Sequence, residues 1–311
     1  MNTQAPEPGS PAWYKLVTAS KVATILGLSP EQWSTPWTLW HAMKDATSGD
    51  DGRNAKGKAR GHYLEDGVIR WWIDQHRDDY GSGFPQTWRP VADDDGVMWA
   101  GATSDLYGTE FYEDAGGQIR ERFFVLNAKT SATTDDWWTY DVNGDPVMYP
   151  PPYYLASLMW EMWVFDAPVG YIACLFGPSL DFREWRIERD DELIAGIVTR
   201  CREFYDSLAG DEPPELDDTP ATYEAVRRMH PDIDRDATVV LPGDVAFELV
   251  AATAAADAAE ARRRRAHVEV MTAMGTARTA EYCGLTVARR QPNRHGVSFV
   301  PVIRDLSKLE A

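Results

Sequence analysis

Three cysteines in 311 residues, Cys174, Cys201 and Cys283, are too few, too far apart and odd in number for a disulfide framework or a zinc site. That usage fits a reducing compartment. Nowhere do 18 apolar residues run together, and the stretch from Met1 to Pro11 lacks the basic-then-apolar order of a secretory leader. Both absences predict a protein with no membrane partner, located in the cytoplasm of the cell that makes it. Positive charge is scarce too: 31 Lys+Arg stand against 49 Asp+Glu, a net of -18. A surface that attracts nucleic acid everywhere is thereby excluded, and any DNA contact must be local. What is present, 44% hydrophobic and 26% charged residues, is the composition of a globular chain and excludes a wholly disordered or fibrous one.

The charge is unevenly spread. From Gly243 to Ala311 there are 10 Lys+Arg and 8 Asp+Glu, which leaves 21 against 41 for everything before. Between the two regimes, Gly210 to Pro220 is rich in proline and acid and reads as a linker. The expected organisation is a flexible N-terminus over 1–12, a main domain over 13–217 and a C-terminal appendage over 218–311.

Periodicity predicts helices over Ala19–Leu26, with Thr18 or Ser20 as N-cap and Gly27 as the stop, after Pro36, over Ala59–Asp74, over Pro152–Val164 and over Glu192–Leu208. Strands are expected at Val97–Ala102, Asp105–Thr109 and, after a polar turn at Glu113–Gly117, at Arg122–Ala128, with a further pair at Gly170–Phe176 and Phe182–Ile187. This is an α/β core, a mixed central sheet flanked by helices. In the appendage, Asp244–Met274 reads as one long helix ended by Gly275, followed by a β-hairpin of Leu285–Arg290 and Val297–Ile303.

Within that frame Asp105 lies just after one strand, while Asn127 and Lys129 stand two apart on another and so share a face. A carboxylate from one strand beside an Asp/Glu-x-Lys pair on its neighbour is the arrangement of a magnesium-dependent nuclease. The acids hold the cation, which activates water and offsets phosphate charge, and the lysine positions or activates the water. By itself the pattern is weak, and Asp105 reads equally well as a turn residue.

The flanking residues make it more specific. Ala19-Ser20-Lys21-Val22-Ala23-Thr24-Ile25-Leu26-Gly27-Leu28-Ser29-Pro30, then Pro36 and Leu39-Trp40, Arg60-Gly61-His62-Tyr63-Leu64-Glu65, Gly101-Ala102-Thr103-Ser104-Asp105, and Leu126-Asn127-Ala128-Lys129-Thr130-Ser131 follow one another in an ordered series. Together with the helix from Pro152, Glu188–Leu193, Phe204 and Pro213-Pro214, they resemble the YqaJ-like viral recombinase family, phage exonucleases related to the lambda exonuclease within the PD-(D/E)xK nuclease superfamily. The resemblance covers about residues 14 to 217. It implies a restriction-endonuclease-like core and a Mg2+- or Mn2+-dependent exonuclease acting on double-stranded DNA ends. Its partner would be a phage single-strand annealing protein, and its acidic exterior would suit a homo-oligomeric ring with a basic interior. Carried over by position, Asp105 and, from the helix bordering the site, Glu65 are the metal ligands, Lys129 is the catalytic lysine and Asn127 stands at the remaining catalytic position, with Ser20, Lys21, Thr130 and Ser131 near the DNA phosphates.

Two positions depart from the family pattern. Asn127 stands where the family has Glu or Asp, and Ala156 where it has Gln. An amide oxygen can ligate magnesium but brings no charge. Three accounts stay open: another acid, Glu65 or Glu161, replaces the lost one; the nuclease is silent and the fold is a DNA- or protein-binding module; or the true acid lies elsewhere. Glu121 is excluded from the first, since six strand residues put it about 20 Å from Asn127.

Other features carry ordinary readings beside functional ones. Most of the 13 tryptophans suit a core, with Trp137 and Trp138 the better candidates for stacking on bases. Arg262–Arg265 is a solvated helix face or a phosphate grip, and His62 either assists at the metal or is a surface residue. His230, His267 and His295 belong to no constellation.

Overall fold

The structure, a computed structural model, describes residues 4–30, 32–46, 55–177, 179–229, 233–293 and 296–303. His230 and His295 lie outside them. The chain divides into two compact units, Met1–Asp232 and Ile233–Ala311.

The first unit opens with the short helix α1 (Pro11–Tyr14), whose N-cap Ser10 accepts from the Trp13 N–H, and the two-residue strand β1 (Val17–Thr18). Helix α2 (Ala19–Ile25) follows, with Thr18 at the cap position bonding the Ser20 hydroxyl rather than a backbone amide. Gly27, at φ +70, terminates it in a conformation that only glycine adopts without strain. Helix α3 (Pro36–Lys44) starts from a capping box in which Thr35 and Thr38 satisfy each other's backbone donors. Helix α4 spans Ala55–Gln75.

Strand β2 (Tyr80–Ala92) has no counterpart among the sequence expectations, because Gly81, Gly83, Pro85 and Pro90 punctuate it. It pairs with one neighbour only, and an edge strand tolerates proline. Strand β3 (Met98–Glu113) is continuous where two strands were expected, and β4 runs Ile119–Ser131. A 3₁₀ turn at Asp135–Trp137 leads into the small hairpin of β5 (Trp138–Tyr140) and β6 (Pro146–Met148), also unforeseen. Helix α5 (Pro152–Phe165), strands β7 (Val169–Phe176) and β8 (Asp181–Glu188) and helix α6 (Asp191–Ser207) match the periodicity closely. Helix α7 (Pro220–Met229) belongs to this unit. The first compact unit thus runs past the expected boundary at 217/218 to Asp232. Thr222 of α7 is buried and its hydroxyl bonds that of Thr35 at 2.8 Å, an anchor that the proline-rich approach conceals.

Strands β1, β3, β4, β7 and β8 lie in that order in one mixed sheet, with β2 also paired to β3. One face of β4, through Phe124, Leu126 and Ala128, packs on Val68, Ile69 and Trp72 of α4. The other face, through Val125, joins the larger core formed with α2, α5 and α6. Helix α5 approaches closely: a Cβ at Gly170 of β7 would fall 2.9 Å from Leu158.

The second unit holds helix α8 (Gly243–Met274), ended at Gly275, and strands β9 (Thr279–Tyr282), β10 (Leu285–Asn293) and β11 (Gly296–Pro301) in one antiparallel sheet ordered β11-β10-β9. The expected hairpin is there, and β9 joins it through a turn in which Cys283 and Gly284 both have positive φ, the conformation that suits a two-residue connection. No helix of the described residues is long and apolar enough to cross a membrane.

Candidate active site

The site lies where the sheet forks. Strand β3 pairs with β2 on one edge, and its other edge is shared in succession by β1, at Ala100 and Gly101, and by β4, from Leu106 onward. Strand β4 leaves β3 after the Leu106–Leu126 pair and continues beside β7. The Ala128 N–H, beyond that last pair, is taken by Asp105, whose Oδ2 accepts it at 2.8 Å. The point where the two strands part thus also fixes the carboxylate.

Lys129 reaches the same carboxylate, Nζ to Oδ2 3.7 Å, with about a fifth of each side chain exposed. Its ammonium also lies 5.6 Å from the ring centre of Tyr154 on α5. Burial pulls the Lys129 pKa down, but Asp105, then Glu161, Tyr154 and Glu65 outweigh it and hold the group above its ordinary value. A lysine so placed is a permanent cation: it can bind a phosphate oxygen or orient water, and it is a poor proton acceptor. In register with it, Cys174 is buried and its thiol pushed up to about 12, so it supplies no nucleophile.

Asn127 shares the Lys129 face and points to α5, where its Nδ2 donates to Glu161 Oε2 at 2.9 Å. Both side chains are buried. Burial, reinforced by the charge of Asp105, raises the Glu161 carboxyl well above its ordinary value, against the opposing effects of Lys129 and Asn127. A second acid therefore stands beside the motif, on the helix rather than the strand. Glu65 does not occupy that place. It sits on α4, which packs against the opposite face of β4, and it bonds His62 Nδ1 at 3.3 Å. Its charge is the last of those felt by Lys129.

Among the expected DNA contacts, Ser20 is exposed, and Thr130 and Ser131 are half-buried, with the Ser131 hydroxyl on the Thr133 carbonyl. Lys21 departs from expectation. It is 2% exposed, its ammonium donates to the carbonyls of Trp13 and Leu16 at 2.5 and 2.6 Å, and burial lowers its pKa to about 7. This lysine braces α1 and β1 and presents no charge to a phosphate. Trp137 departs likewise, buried between Tyr154, Phe176 and Trp185, whereas Trp138 is 54% exposed. Ala156, in place of the family's Gln, is core.

The donors suit a hard divalent cation in kind. The carboxylates of Asp105 and Glu161 and the amide oxygen of Asn127 are all oxygen ligands. They are few: among the described residues no three His, Cys, Asp or Glu side chains form a metal-binding group. One or two carboxylates completed by water and substrate phosphate is nevertheless how Mg2+ is commonly held, and the residues present fit it.

No protein-family model and no curated protein matches the chain. Solved structures do resemble it. An alkaline exonuclease, LHK-Exo, from Laribacter hongkongensis is 17% identical with a TM-score of 0.43, over 73% of this chain and 98% of that one. A phage-related exonuclease from Haemophilus somnus 129PT is 15% identical with a TM-score of 0.39, over 62% and 95%. The protein SSO0001 is 12% identical with a TM-score of 0.38, over 68% and 81%.

Proposed function

We propose that the chain is a divalent-cation-dependent deoxyribonuclease, an exonuclease that resects double-stranded DNA ends for phage-type single-strand annealing recombination. The observation that carries this reading is the convergence at the sheet fork of Asp105, Lys129 and the Asn127–Glu161 pair. Asp105 and Glu161 would hold Mg2+ or Mn2+, with Asn127 orienting Glu161 and Glu65 adding negative charge from the α4 side. Bound there, the cation would supply Lewis-acid polarisation of the scissile phosphate and a lowered pKa for the attacking water. Lys129, kept protonated by its neighbours, would bind a non-bridging oxygen and favour the charge that develops on the phosphate. Asp105, tied to the Ala128 amide, would keep its second oxygen for the cation.

The test is degradation of linear duplex DNA in Mg2+ or Mn2+ by the full chain. Cleavage that chelation stops, and that Asp105→Ala and Lys129→Ala each abolish without unfolding the protein, is the expected result. Cleavage undiminished in Asp105→Ala would overturn the assignment. A catalytically silent DNA- or protein-binding module is the second reading. It is favoured by Asn127 in place of the strand acid and by the small number of clustered acids. Folded protein that binds DNA and cleaves no duplex with either cation would establish it.

A further inference from the structure

Among the described residues, one large exposed aromatic side chain is tied to the candidate site by an unbroken series of ring contacts. Lys129 Nζ lies 5.6 Å from the Tyr154 ring, Tyr154 packs edgewise on Tyr153 at 4.5 Å, and Tyr153 packs edgewise on Trp33 at 5.4 Å. Each link is held independently. Tyr154 also rests on buried Trp137, and the Tyr153 hydroxyl donates to Asp136. Ahead of Trp33, Leu28 N–H bonds the Ala23 carbonyl and Thr24 bonds Ser29, and Trp33 N–H bonds the Pro30 carbonyl just before the α3 capping box. Trp33 is 55% exposed, so a large π surface resting on Tyr153 is open to solvent.

We propose that Trp33, supported by Tyr153, is a stacking platform for an unpaired base of the DNA strand whose phosphate lies at Lys129. This rests on the nuclease reading of the site. Three contacts of this length place the indole within a few nucleotides of the reacting phosphate, given a rise of about 3.4 Å per nucleotide in a stacked strand. The acidity of the surroundings favours this division of labour. From Thr130 to Phe182 the sequence has no Lys or Arg, and Asp136 accepts from the Tyr153 hydroxyl. Phosphates are repelled there, whereas the uncharged face of a base is not. Stacking on an aromatic ring accepts every base, as digestion without sequence preference requires. A ring already packed against a neighbour also loses less conformational entropy on binding than a free one.

The experiment uses the full chain carrying Asp105→Ala, so that the probe survives, and a short fluorescein-labelled oligothymidylate followed by anisotropy. Adding Trp33→Ala should weaken binding about five- to a hundredfold, the range for loss of one stacked base, and Trp33→Phe should recover most of it. Tyr223→Ala, removing an exposed ring on α7 with no ring contact to Tyr153, should leave binding unchanged. Unaltered affinity in Trp33→Ala, or an equal loss in Tyr223→Ala, would overturn the platform. Failure of the nuclease reading is seen separately, as absence of cleavage by the unsubstituted chain. Trp33-dependent binding in that circumstance would still support the platform.

Discussion

Asn127 on β4 donates its amide hydrogen to Glu161 on α5 across 2.9 Å, inside a pocket that excludes solvent from both. The amide stands where a nuclease motif would carry its second carboxylate, and the carboxylate it holds comes from the helix. An acid therefore stands near Asp105, supplied by the helix.

Putting an acid back on the strand should harm the protein. Asn127→Asp would trade a hydrogen bond for two buried carboxyl groups in contact, lowering stability by about 1–3 kcal/mol. Part of that loss should return on adding Mg2+, and exonuclease activity should not rise. Thermal melts with and without the cation check this; an unaltered melt with higher activity would mean that Glu161 is not already serving the site.

Lys21 should behave as a structural residue. Lys21→Ala leaves the carbonyls of Trp13 and Leu16 without their buried donor, at a cost of about 1–3 kcal/mol. The salt dependence of DNA binding should be unchanged, since no phosphate contact is lost. A shallower salt dependence in the variant would restore the phosphate role.

His76 gives the fold a pH signature. Its ring bonds both oxygens of Glu184, and that bond, opposed by burial and aided by the charges of Glu184, Glu110 and Asp79, raises its pKa. A base whose folded pKa lies above its unfolded 6.5 stabilises fully below 6.5, and the contribution disappears as pH climbs through the raised folded value. His76→Ala should be less stable than the parent at pH 6, with the gap narrowing as pH rises. A gap that widens with pH would contradict the assignment.

Truncation should distinguish the two possible boundaries. Ending the chain after Met229 keeps α7 and the Thr35–Thr222 bond and should give a folded first unit, whereas ending after Leu216 removes both and should lower the melting temperature. Equal stability of the two would place the boundary at the linker after all.

The sequence made the helices and inner strands legible where side chains repeat with the period of the element: Val68, Ile69 and Trp72 on α4, or the apolar run of β7. It concealed β2, whose glycines and prolines fit only because one edge is unpaired, and α7, whose anchor is a single hydroxyl contact. Asn127 and Lys129 could be put on one face from strand alternation alone, whereas placing Asp105 beside them took the resemblance. The partner of Asn127 could not, since Glu65 and Glu161 both stand on helices and no spacing reveals which face of β4 each helix covers. Burial of Lys21 was equally hidden, because its acceptors are main-chain carbonyls. Nor does Trp33 show any periodic signal, since its link to the site passes through Tyr153 and Tyr154, more than a hundred residues later in the chain.

Side-by-side assay of Glu161→Gln and Glu65→Gln on linear duplex DNA in Mg2+, with the parent chain as reference, tests the position of the second acid most directly. Gln at 161 can still accept from Asn127 and removes a carboxyl whose ionisation burial resists. The variant should thus be at least as stable as the parent, increasingly so as pH rises above 4.5, so that lost activity cannot be ascribed to unfolding. The expected result is cleavage by the parent, a loss of about a hundredfold or more in Glu161→Gln, as for removal of a group that stabilises the reacting phosphate, and a much smaller loss in Glu65→Gln. Full activity in Glu161→Gln with abolition in Glu65→Gln would contradict it and place the second acid on α4.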